Sequence, residues 1–102
     1  MSHGLPDAAI ARIQGLLARF RDVEKAVLYG SRARGNYRAG SDIDLTLHGS
    51  ALSVDQLGTI ASELDDLLLP YTIDLSIFEQ LGHPELREHI ERVGVVFYER
   101  QK

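Results

Sequence analysis

A glycine–serine turn and an aspartate pair, with ten residues between Ser31 and Asp42, limit how this chain can fold. The stretch runs from Tyr29 to Leu47 and reads Y-G-S-R-A-R-G-N-Y-R-A-G-S-D-I-D-L-T-L. It follows an apolar run, Ala26-Val27-Leu28-Tyr29, and residues 25–29 are read as a first strand. It ends in a second strand over residues 42–48, where polar and apolar side chains alternate. Successive side chains of a strand point to opposite faces. Asp42, Asp44 and Thr46 therefore share one face, and Ile43, Leu45 and Leu47 take the other. Two carboxylates two residues apart on a strand lie roughly 6–7 Å apart at the backbone, within reach of one hard cation. Without such a ligand, like-charge repulsion penalises the arrangement.

The turn before the pair has its own chemistry. Gly30 lets the backbone approach a ligand closely, and amides opening a helical turn bind phosphate. Ser31 is read as the N-cap of a short turn over Arg32-Ala33-Arg34. Its hydroxyl adds a hydrogen bond, and an arginine such as Arg32 can clamp phosphate oxygens in bidentate fashion. No acidic residue lies between Lys25 and Asp42, whereas Arg32, Arg34 and Arg38 do. A small basic loop thus adjoins an acidic strand, which suits an anionic ligand carrying its own cation. Taken alone, Gly30-Ser31 also fits an ordinary capped turn.

The remaining chain supplies a frame. Ile10, Ile13, Leu16, Leu17 and Phe20 recur at helical spacing over residues 6 to about 21. Ser53 and Gln56 form a capping box that opens a helix expected to reach Leu69, before Pro70. Residues 71–78 alternate as a third strand, in which Asp74 is the only charged residue. Alternation alone explains a polar residue there, but aspartate is disfavoured in strands and three of them need a reason. Pro84 opens a last helix with Leu86, Ile90 and Val93 inward and Gly94 as its stop, and residues 95–98 read as a final strand. The expected fold is α/β or α+β, a sheet with helices covering one side.

Composition bounds the function classes. The 102 residues suffice for a single domain, 1–102, with one core. A net charge of −4 argues against a broad basic face gripping nucleic acid, so no direct nucleic-acid binding is expected. The absence of cysteine excludes disulfides and thiolate metal sites and favours a reducing, cytoplasmic setting. The start, Met-Ser-His-Gly-Leu-Pro, does not read as a signal peptide, and Leu67-Leu68-Leu69 is far too short to span a bilayer. The phosphate loop G-x-x-x-x-G-K-[ST] and the dinucleotide fingerprint G-x-G-x-x-G are absent. Y-G-S-R-A lacks the first glycine of a nucleophile elbow. The four histidines show no metal-ligand spacing.

The pattern L-Y-G-S-R-A-R-G-x5-S-D-I-D-L, with Asp74 in a later strand, resembles the DNA polymerase β-type nucleotidyltransferase superfamily. At this length it most resembles the minimal nucleotidyltransferase (MNT) proteins, over roughly Val27 to Ile77. The resemblance implies a mixed β-sheet with core strand order 1-2-3. It implies Asp42, Asp44 and Asp74 at one site carrying two Mg²⁺ ions, with Gly30, Ser31 and Arg32 holding the triphosphate of ATP or another NTP. It further implies a partner, a HEPN-domain toxin, and an antitoxin role through adenylylation of a toxin tyrosine. A small-molecule acceptor such as an aminoglycoside, served by a dimer, and a non-catalytic toxin-binding module are the alternatives. Larger members carry a further domain for base or acceptor, which this chain lacks.

Overall fold

The computed structural model describes residues 3–101. Its elements are α1 (Asp7–Ala18), β1 (Lys25–Tyr29), α2 (Ser31–Arg34), β2 (Ile43–His48), α3 (Val54–Asp65), β3 (Ile73–Ile77), α4 (Pro84–Val93) and β4 (Val95–Glu99), with a 3-10 turn at Phe78–Gln80. The four strands form one mixed sheet in the order β3-β2-β1-β4. β1 runs antiparallel to both β2 and β4, whereas β2 and β3 are parallel. A parallel pair needs a long crossover, and α3 supplies it. The expected 1-2-3 core order is present, with β4 added beyond β1.

The strand alternation divides the sheet cleanly. Ala26 pairs with Leu47, Leu28 with Leu45, and Leu45 with Leu75. These side chains face Ile13, Leu16 and Leu17 of α1 and Ile60 and Leu64 of α3 in one apolar cluster. The opposite face carries Tyr29, Asp44, Asp74, Val27, Thr46 and Ser76. Here the one-sided cover expected from the sequence is corrected. α4 lies on this second face, against β1: a Cβ at Gly94 would meet both the Ile90 carbonyl and Val27 Cγ1. Its buried residue, Ile90, stands outside the main cluster.

Several element ends differ from the sequence reading, each for a local reason. α1 stops at Ala18 rather than near 21, and the Arg100 guanidinium donates to the carbonyls of Ala18, Phe20 and Val23. The Ala18 carbonyl is one that a helix terminus leaves without an intrahelical partner. α3 has its capping box but stops at Asp65, four residues before Leu69. Asp65 and Asp66 put negative charge at the unfavourable end of the helix dipole, and Leu68 adopts a left-handed φ of 55°. β3 starts at Ile73, since Tyr71 leaves the strand to meet Arg32. No described helix is long and apolar enough to cross a membrane.

Candidate active site

The C-terminal end of β1 and the N-terminal ends of β2 and β3 meet at one edge of the second face. β2 and β3 pair with Asp44 opposite Asp74 and Thr46 opposite Ser76. Neighbouring strands lie about 4.8 Å apart, so the two carboxylates issue side by side. Ser76 Oγ donates to Thr46 Oγ1 at 2.9 Å, which fixes the pair beyond them. Asp42 lies just before β2 and is exposed, as is Asp74, while Asp44 is half-buried. The structure thus brings the three aspartates into one neighbourhood, and the charges register it. Burial pushes the Asp44 carboxyl above its ordinary value, and Asp74 and Asp42 push it further up.

The turn presses on the same carboxylate. Gly30 has φ +76°, a conformation that suits glycine. A Cβ there would also collide with Asp44 Oδ2. The backbone conformation calls for glycine at this position, and the close approach seats the turn against the acid. Gly30, not Ser31, is the N-cap of α2. Ser31 is its first helical residue, and its hydroxyl is not spent on the cap.

Arg32 departs from its expected role as a phosphate ligand. It is 1% exposed, and its guanidinium is taken up by the carbonyls of His3, Ala39 and Ser41. It also lies over the rings of Tyr37 and Tyr71, at 5.3 and 5.1 Å from their centroids. A group so engaged is not presented to a ligand. Arg34 and Arg38, both exposed, are the loop's outward cations.

Tyr29 is a site residue that the sequence reading passed over. It pairs with Asp44 across β1–β2. Burial raises its phenol above the ordinary value; a hydrogen bond with Ser76 opposes this, and Asp44 and Asp74 add to it. The phenol stays protonated beside two carboxylates. The available signal was alternation, which puts Tyr29 on the face of Val27 and hence of the acids. His48, at the far end of the same face, stacks on Phe78 with ring centroids 4.5 Å apart. Burial lowers its pKa, Lys25 next, and Glu79 only partly opposes this.

Among the described residues, no three acidic or imidazole side chains are gathered into a ready-made metal cage. The donor set nevertheless fits Mg²⁺, which takes hard oxygen ligands, keeps several waters and relies on substrate phosphates. Two adjacent carboxylates with room on their solvent side meet that requirement. Two described cavities, about 520 and 440 Å³, lie away from the aspartates. One is lined by α1 and β4 residues, the other by Glu24, Lys25, His48, Glu99 and Arg100. The acids instead stand on an open face.

Residues 11–102 match the family described as Polymerase beta, Nucleotidyltransferase. The chain belongs to this family. As a nucleotidyltransferase domain it has structural neighbours among toxin–antitoxin complexes. One is a complex with AMP-PNP, at TM-score 0.71 and 20% identity, covering 95% of this chain and 76% of the other. Another is a tri-AMPylated Shewanella oneidensis HEPN toxin with its MNT antitoxin, at TM-score 0.68 and 19% identity, covering 92% and 72%. A Sulfolobus solfataricus nucleotidyltransferase structure covers all of this chain and 92% of the other, at TM-score 0.52 and 19% identity. A 41-residue segment is also 44% identical to DNA mismatch repair protein MutL of Bacillus anthracis, covering 40% of this chain. That match spans only 6% of MutL's length.

Proposed function

We propose that this nucleotidyltransferase moves AMP from Mg²⁺-ATP onto a hydroxyl of a partner protein, a tyrosine of a HEPN-type toxin, and so acts as an antitoxin. The observation that carries the reading is the in-register pair Asp44–Asp74 beside the Gly30-Ser31 turn, on an open face. Nucleotide and toxin come from the neighbours, which include the AMP-PNP complex and the AMPylated HEPN toxin. One related complex carries glutamate for two aspartates spaced two apart, as Asp42 and Asp44 are spaced here. Another carries alanine for a tyrosine.

Each residue then has a task. Gly30 and Ser31 hold the β- and γ-phosphates through turn amides and one hydroxyl. Asp42 and Asp44 would hold the nucleotide's metal and orient the α-phosphate, and Asp74 would complete the metal set on the acceptor side. Two Mg²⁺ ions held there would supply charge stabilisation for both the attacking and the leaving oxygen. The acceptor oxygen attacks the α-phosphorus, its proton passes to the Asp74 carboxylate, and the bond to the bridging oxygen breaks to release pyrophosphate. Tyr29, protonated beside both acids, walls the site on the β1 side. A small acceptor needs a largely enclosing pocket, whereas a protein surface brings its own second wall to exposed Asp42 and Asp74.

The test is intact mass spectrometry of a HEPN-type protein encoded beside this chain, after incubation with both the chain and Mg²⁺-ATP. A gain of one or more AMP units, lost with Asp44→Asn, supports the proposal. An unmodified but tightly bound partner favours neutralisation by occlusion. Transfer to an aminoglycoside instead overturns the protein-acceptor reading. Mg²⁺-ATP should also raise the melting temperature more than ATP with chelator does, and equal shifts would remove the metal from the proposal.

A further inference from the structure

A guanidinium taken out of water is expensive, and Arg32 is among the largest fully buried side chains of the domain. Among the described residues its hydrogen-bond partners are carbonyls rather than a carboxylate: His3 O from Nη1 at 2.8 Å, Ser41 O from Nε at 3.1 Å and from Nη2 at 2.9 Å, and Ala39 O at 3.4 Å. The forked pair of bonds goes to Ser41, whose next residue is Asp42. On the other side of Asp42, the Ile43 amide donates to Thr72 O at 2.8 Å and starts the β2–β3 ladder. Asp42 therefore hangs between two fixed points, one of them Arg32. Residues 34–40 ahead of it are exposed and carry two glycines. Arg32 itself follows Ser31 on α2, so one side chain ties the glycine–serine turn to the first aspartate. Tyr71, two residues before β3, stacks on the same guanidinium and brings the approach to Asp74 under the same clamp.

We infer that Arg32 is a positioning residue that sets the distance between the phosphate-holding turn and Asp42, resting on the role proposed above for those two groups. A lysine cannot replace it. Its ammonium lacks the planar fork that meets one carbonyl twice while lying flat on aromatic rings. Nor would burial for stability alone call for a charge, since apolar side chains fill such volumes at no desolvation cost.

The experiment compares the wild-type chain with Arg32→Lys and Tyr37→Leu, by hydrogen exchange and by AMP-transfer kinetics. Tyr37 is exposed, so its loss spares the core while removing one ring from the guanidinium. In Arg32→Lys, exchange should accelerate at the amides of Arg38 and Ser41, which are hydrogen-bonded within the loop, and remain unchanged in α1 and β1. The kcat should fall about a hundredfold, the scale of an ångström-sized misplacement, with KM for ATP nearly unchanged. Tyr37→Leu should show both effects severalfold weaker. A rise in KM with kcat preserved would make Arg32 a direct phosphate ligand and overturn the inference. So would unchanged loop exchange, or a rate loss matching only the unfolded fraction. The exchange arm needs no catalysis, so a wild type that transfers nothing refutes the proposed function and leaves the clamp to be judged on exchange alone.

Discussion

The two faces of the sheet come from the same strands and do opposite work. On one face Ala26, Leu28, Ile43, Leu45 and Leu47 are shut away beneath α1 and α3. On the other, one residue along each strand, Asp44 meets Asp74, Thr46 meets Ser76, and Tyr29 faces Asp44. The first face lowers the free energy of the fold. The second raises it, because Asp44 is partly desolvated among like charges. A domain of this size can carry such a face because the other one is packed without a buried unsatisfied side chain among the described residues.

Substitutions along β2 should therefore fall into two classes. The largest effect is expected of Asp44→Asn: transfer should drop by orders of magnitude while the melting temperature holds or rises. Near-normal transfer in both Asp42→Asn and Asp44→Asn would erase the distinction between the faces. Leu45→Ala, the adjacent residue, should do the reverse. It should cost about 2–5 kcal/mol in denaturant unfolding and leave transfer per folded molecule close to wild type. Ser31→Ala should be milder than either, weakening nucleotide binding by the value of one hydrogen bond, about 0.5–1.5 kcal/mol, as titration calorimetry would read.

The smallest effect is a pH dependence that differs in sign between the two ends of the polar face. The Asp44 carboxyl is raised from 3.8, so the folded state binds more protons than the unfolded state just above that pH. Stability contributed there should decline as pH rises through the window, and Asp44→Asn should flatten it. His48 is lowered from 6.5, so the unfolded chain takes its proton first. Its contribution is complete above 6.5 and should be lost as pH falls toward the lowered value. Denaturant midpoints of His48→Gln across that range check the second arm.

Much of this was legible in the order of residues. Period-two alternation put the aspartates on a common face, and the Ser53–Gln56 capping box marked the start of α3. What escaped was set at a distance. Arg32 reads as one of three loop arginines because its burial depends on how the loop folds back to put the Ser41 and Ala39 carbonyls on it, and on His3 and Tyr71, which are far off in the sequence. Tyr71 reads as a strand residue for the same reason. Tyr29 reads as the apolar end of a strand until antiparallel pairing sets it opposite Asp44. The end of α3 followed local electrostatics, Asp65 and Asp66 at its last turn, where leucine periodicity alone suggested continuation.

Asp74 lies on β3, which among the described residues is bonded to β2 on one side and to no strand on the other. Strands at a sheet margin open by local fluctuation at lower free energy than central ones. On the proposed reading Asp74 serves the acceptor, so opening of this margin should disturb that side of the site before the central strands β1 and β2 unfold. On warming, activity should fade before the cooperative transition, and a ligand bridging Asp44 and Asp74 should close that gap by holding the margin shut. The enzyme's working temperature would then be set by one five-residue strand rather than by the melting point of the domain.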